Sequence, residues 1–181
     1  MLIAQSLRKK NIVEYLLYMW QLEDLFRVFK LDIDLVDKHV ISQMKFTDEQ
    51  LHKQVYQWYD SLIEMMRLEN VIEKGHLQIN KNVILELDDF HYQLIASAKV
   101  PAYNAKYMHV LPLINQLRMK SEAGLSDIEL CFNFQYGFLL LKMKGQEISQ
   151  QTQQTQVEIA KFMVLLSKNY HDHQNGLLEL E

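Results

Sequence analysis

Only five glycines and two prolines punctuate this 181-residue chain. An all-β fold needs both residues at its many turns, so their scarcity directs the chain toward long helices joined by short connections. The strongest segment covers residues 12–30. There Ile12, Val13, Tyr15, Leu16, Leu17, Tyr18, Met19, Trp20, Leu22, Leu25 and Phe26 leave almost no polar side, as in a helix from the middle of a bundle. Asn11 with Glu14 matches a capping box, in which each side chain satisfies a backbone N–H that the first helical turn leaves open.

Further helices follow the same logic. One is expected over residues 33–44, capped by Asp32 or Asp34. A long one over 47–74 is opened by Thr47 with Gln50 and ended by Gly75, with Leu51, Val55, Trp58, Leu62 and Met66 as its core face. Pro101 starts a helix over 101–120 that is kinked or split at Pro112, whose nitrogen cannot donate. Ser126 with Glu129 opens a mostly apolar helix to 144, ended by Gly145, and Ser149 opens a last one to 170 that buries Val157, Phe162, Leu165 and Leu166. Residues 76–87 admit two readings. Residues 77–85 can form a small hairpin; alternatively, Asn80 or Asn82 caps a helix reaching 98, in which Val83, Leu87, Phe90, Leu94 and Ile95 keep helical spacing. The second is preferred, because Asp88-Asp89 fits a helix better than a central strand. The expected architecture is therefore all-α: one antiparallel bundle domain of six to seven helices over residues 1–179, with segments 12–30 and 127–144 at its centre. Residues 180–181 read as a cloning scar.

Charge and cysteine content narrow the function classes. The net charge of −4 gives no basic footprint for nucleic acid, and the run Arg8-Lys9-Lys10 reads as a solvated helix end. Cys131 is the single cysteine, set between Leu130 and Phe132, so no internal disulfide forms and a buried small hydrophobe is expected. The most apolar stretch is interrupted by Glu14, Gln21, Glu23 and Asp24, and no charged start precedes an apolar run at Met1, so a cytoplasmic, non-membrane protein is expected.

Three constellations carry candidate chemistry. The first is a carboxylate followed three residues later by histidine, a spacing that puts both ligands on one helix face, as dimetal bundles require. Glu49 with His52 and Asp88 with His91 are the candidate metal pairs; Glu73 with His76 has the spacing but spans Gly75, and Glu23 and Asp24 are the only spare acids for bridging. The second is a polar pocket between the two central helices, lined by Tyr18 and Gln21 on one and Asn133 and Tyr136 on the other, with Gly137 permitting close approach. The third is an apolar surplus at Tyr56, Tyr59 and Ile63, beside the core stripe of its helix, which would suit a partner. His171-Asp172-His173 is expected in a disordered tail. Neither a Gly-x-Ser-x-Gly elbow nor a phosphate-cradling glycine loop occurs, so no catalytic residue and no cofactor are assigned.

Three blocks carry a family resemblance: residues 14–24 (EYLLYMWQLED), 73–82 (EKGHLQINKN) and 136–141 (YGFLLL). They resemble the Bacteroidetes proteins of the domain-of-unknown-function family 4924, over almost the whole chain. The resemblance implies a bacterial cytoplasmic protein and favours the helical reading after Asn82. It brings no activity, ligand or site residue. The leading functional expectation is a non-enzymatic helical module acting through protein contacts, as a homodimer or with a protein partner. The alternative is a bundle that binds a small molecule or metal. Binding of nucleic acid through a winged-helix-like hairpin at 77–85 ranks last, since it lacks a basic surface.

Overall fold

The computed structural model describes residues 1–46 and 48–180. Among them are eight α-helices and no strand: α1 (Leu2–Lys10), α2 (Ile12–Val28), α3 (Ile33–His39), α4 (Glu49–Leu68), α5 (Gln78–Ala96), α6 (Pro101–Arg118), α7 (Asp127–Met143) and α8 (Gln150–Gln174). The all-α expectation is met. The helix beyond the expected count is α1, and the hairpin reading of 77–85 is overturned because α5 starts at Gln78.

Local chemistry explains most of the boundaries. Asp32 caps α3 by accepting from the backbone N–H of Asp34 and Leu35. The expected helix to residue 44 instead stops at His39 and resumes as a single 3-10 turn, Ile41–Gln43. Thr47, the expected opener of α4, lies outside the described residues; Asp48 is the cap and accepts from Leu51 N. Ser126 accepts from Glu129 N, and Ser149 from Thr152 N, as expected. Helix α6 continues through Pro112.

The end of α4 differs from expectation. It stops at Leu68 rather than near 74, because Asn70 takes the left-handed conformation (φ 55) expected of Gly75. Asn70 N then bonds Arg67 O and Val71 N bonds Met66 O, closing the last turn.

The chain divides into two compact units, the first made of Met1–Lys10 and Glu14–Asn82, the second of Asn11–Val13 and residues from Val83 on. In the first, α3 packs on α4. The buried face of α4 is Val55, Tyr59, Leu62, Ile63 and Met66, with Tyr59 2% and Ile63 0% exposed. Val55, Leu62 and Met66 are buried as expected, whereas Leu51 and Trp58 are half-buried and Tyr59 and Ile63 join the core. Tyr59 meets Phe26 edge-on, with ring centroids 5.3 Å apart. The surplus patch assigned to Tyr59 and Ile63 does not exist on the surface; both are core, and Tyr56 is half-buried with its hydroxyl donating to Asp34.

In the second unit α6, α7 and α8 pack on one another. Helix α7 is buried over Ile128, Leu130, Cys131, Phe132, Gln135 and Tyr136, but only half-buried from Gly137 to Leu140. Cys131 is fully buried, as expected, and burial pushes its thiol pKa up. On α8, Phe162 and Leu166 are buried, Leu165 is half-buried, and Val157 stays in solvent at 46% exposure. The tail expectation fails. His171-Asp172-His173 is helical, His171 Nε2 accepts from Ile12 N at 3.2 Å, and His173 Nδ1 meets Leu178 O at 2.9 Å. Leu180 O accepts from Ser97 Oγ at 3.3 Å, while residue 181 lies outside the described residues.

Candidate functional site

A buried polar cluster centred on Glu23 lies in the first unit. On α2, Leu16, Met19, Glu23 and Phe26 recur at helical spacing, and all four are at most 1% exposed. Glu23 is therefore a carboxylate on an otherwise apolar face, and burial obliges it to find partners. Oε2 receives His76 Nδ1 at 2.5 Å, and Oε1 receives Leu77 N at 2.9 Å and Asn80 Nδ2 at 2.7 Å. Leu77 immediately precedes α5, so the carboxylate also sits at the electropositive start of that helix.

The surrounding loop is held from the same side. Arg27, one turn along α2, donates to the carbonyls of Val71 and Gly75 while pairing with Asp24 at 2.7 Å. Gly75 at φ 86 takes a left-handed turn just before His76, a conformation that costs glycine little. The indole of Trp20 stacks on the His76 imidazole with centroids 4.0 Å apart and planes 10° from parallel. The ring is thus fixed at one nitrogen and on one face. Its side chain remains 28% exposed.

The sequence pairs His76 with Glu73, three residues away; the fold pairs it with Glu23, 53 positions earlier. Asn80, expected as a possible helix cap, is instead wholly buried beside that carboxylate. The signal that marks Glu23 in the sequence is a lone acid in register with Leu16, Met19 and Phe26. Nothing local identifies its partners.

Each histidine of the expected metal pairs has another partner within its own unit. His52 Nε2 bonds Asp37 Oδ1 at 2.9 Å, and Asp37, Glu49, Gln50, His52, Lys53 and Tyr56 line a surface groove of about 560 Å³. In the second unit His91 Nδ1 meets Tyr103 OH at 2.6 Å, with Nε2 left without a partner. Burial lowers the His91 pKa to about 4 and raises that of Asp88 to about 6, against a hydrogen bond from Ser126 that favours the Asp88 carboxylate. Tyr107, whose ring meets His91 edge-on at 4.7 Å, donates to Asp127, which also pairs with Arg118. Among the described residues, no three of His, Cys, Asp and Glu group to hold a metal ion.

The residues of the expected polar pocket are engaged locally or open. The Tyr18 side chain hydrogen-bonds Tyr59, and Gln21 Nε2 donates to Leu17 O at 3.3 Å within its own helix. Asn133 is exposed and Tyr136 buried. A Cβ added at Gly137 meets nothing within 4 Å, so that glycine does not serve close approach.

One apolar feature of the second unit faces solvent. Val157 and Val164 on α8 are 46% and 62% exposed. With Ala160, Leu165 and the stems of Lys106 and Lys161, they line a groove of about 550 Å³. Glu158 holds its rim, pairing with Lys106, with Lys161 at 2.8 Å and with His109 at 3.1 Å; the two lysine hydrogen bonds lower its pKa to about 2. No described helix is long and apolar enough to cross a membrane.

No curated protein and no solved structure matches the chain. A family model described as "Domain of unknown function (DUF4924)" matches residues 1–177, and the chain belongs to that family.

Proposed function

We propose that this chain is a non-enzymatic helical interaction module that pairs with a second copy of itself along the outer face of α8. The observation that carries this reading is the uncovered stripe Val157, Ala160 and Val164, at positions i, i+3 and i+7 of the longest helix. That spacing makes one helical face, and a face of this kind on the longest element is a natural helix–helix seam. It is self-complementary. Two antiparallel copies about a two-fold axis set each Val157 against the other Val164, with the small Ala160 near the axis and the Lys161 stem laid over it.

Magnitudes set the strength. The four valines are only about half exposed in the monomer, so covering them contributes roughly 3–6 kcal/mol in all, against roughly 4–15 kcal/mol lost in association. The pairing is therefore weak and measurable only at high protein concentration. In sedimentation equilibrium the native chain is expected to dimerise at about 100 μM, and Val164→Asp to remain monomeric with unchanged helical circular dichroism. A native chain that stays monomeric at that concentration refutes the pairing.

The reading extends to a bacterial cytoplasmic protein of the Bacteroidetes, supported by the sequence resemblance and by a single cysteine that lies buried. A second reading, a binder of small polar molecules, has one specific support: the groove of Asp37, Glu49, Gln50, His52, Lys53 and Tyr56. It predicts a rise in melting temperature with a bound metabolite that His52→Ala abolishes.

A further inference from the structure

Glu23 faces the Nδ1 side of the His76 ring at 2.5 Å. Leu77 N and Asn80 Nδ2 both donate to Oε1, an arrangement that suits an acceptor, and in the tautomer with hydrogen on Nδ1 His76 donates to Oε2. A neutral imidazole protonated on Nδ1 carries its lone pair on Nε2. Among the described residues Nε2 makes no hydrogen bond, and the His76 side chain is 28% exposed. Trp20 holds the ring plane. The result is a partly exposed imidazole held on one face by Trp20 and at Nδ1 by a buried carboxylate.

We propose that His76 Nε2 is a phosphoryl acceptor. The donor class is an acyl phosphate or phosphoramidate, presented by a small molecule or a partner. The Nε2 lone pair attacks phosphorus, the N–P bond forms, and the P–O or P–N bond to the leaving group breaks, its electron pair departing with that group. As the bond forms, the imidazole becomes cationic. Glu23, 2.5 Å from Nδ1 and 1% exposed, counters that charge where water screens it little. A general-base role would need a hydroxyl or thiol held by the imidazole, and His76 bonds no serine, threonine or cysteine among the described residues. Phosphoryl acceptance needs only the accessible lone pair and the counter-charge.

The test uses the whole protein and potassium phosphoramidate, with intact-mass and peptide-mapped mass spectrometry under alkaline conditions. The exposed His39 serves as the internal standard. His76 is expected to gain one phosphoryl group at least about tenfold faster than His39, and acid treatment to remove it. Glu23→Gln is expected to slow His76 by about tenfold, a barrier change of about 1.4 kcal/mol, and to leave His39 unchanged. No phosphoryl gain, a His76 rate equal to that of His39, or a folded Glu23→Gln with the native rate would each overturn the proposal. If Glu23→Gln does not fold, the ratio of His76 to His39 in the native chain decides alone. A purely structural role for the pair predicts equal rates.

Discussion

The first unit buries Glu23 at 1% exposure and surrounds it with three donors, whereas the second buries Asp88 at 9% and His91 at 2% with far fewer partners. His91 has only the Tyr103 hydroxyl and keeps one ring nitrogen unpaired. Asp88 has the Ser126 side chain set against burial and the nearby carboxylates of Glu129, Asp127 and Asp89. Glu23 is kept as an acceptor by hydrogen bonds and a helix start, while His91 and Asp88 are pushed toward their neutral forms. A buried ionisable group persists either by saturating its hydrogen bonds or by giving up its charge, and each choice leaves a different signature in stability.

The largest expected effect comes from breaking the saturated site. Glu23→Ala leaves His76, Leu77 N and Asn80 without their acceptor and should cost about 3–5 kcal/mol in urea unfolding. Hydrogen exchange should lose protection first at the start of α5. A cost below about 1 kcal/mol would show that the three bonds contribute little net stability.

Tyr103→Phe removes the one partner of His91 Nδ1 in an otherwise close-packed setting. It should cost about 1–3 kcal/mol, the penalty of an unsatisfied buried polar group. An equal cost for Glu23→Ala and Tyr103→Phe would erase the contrast between the two units.

The pH dependence sharpens it further. The folded-state pKa of Asp88 is raised from 3.8 to about 6, so the folded state binds a proton more tightly there, and that contribution is lost as pH rises from about 4 through 6. For His91 the folded-state pKa is lowered from 6.5 to about 4, so its contribution is present above 6.5 and lost as pH falls toward 4. Between pH 4 and 6 the two oppose each other. Asp88→Asn should therefore expose the His91 term, giving a stability loss on acidification from pH 6.5 to 4 about 2 kcal/mol greater than that of the native chain. An unchanged pH profile would mean that Asp88 titrates as an exposed acid.

The smallest effect calibrates the others. Gly137→Ala lies in the interior of α7, where the added methyl meets nothing, and should stabilise the chain by about 0.5–1 kcal/mol through helix propensity. A loss there would show close packing against Gly137.

By itself the sequence determined what depends on near neighbours. Sparse glycine and proline imply the all-α class, and Ser126, Ser149 and Asp32 mark helix starts, because a cap bonds a backbone N–H only two or three residues on. Cys131 reads as core from its flanking residues. The same locality explains the failures. On α4 Leu51 and Trp58 on one flank of the core stripe are as apolar as Tyr59 and Ile63 on the other, and only packing decided that the second pair is buried. Asn70 and Gly75 both take left-handed conformations, and the local sequence does not say which of them ends the helix. The candidate site was legible only as an acid in an apolar register. Its meaning came from His76 and Asn80, brought to Glu23 across 53 and 57 positions, because burying a carboxylate is settled by whichever donors the fold delivers to it.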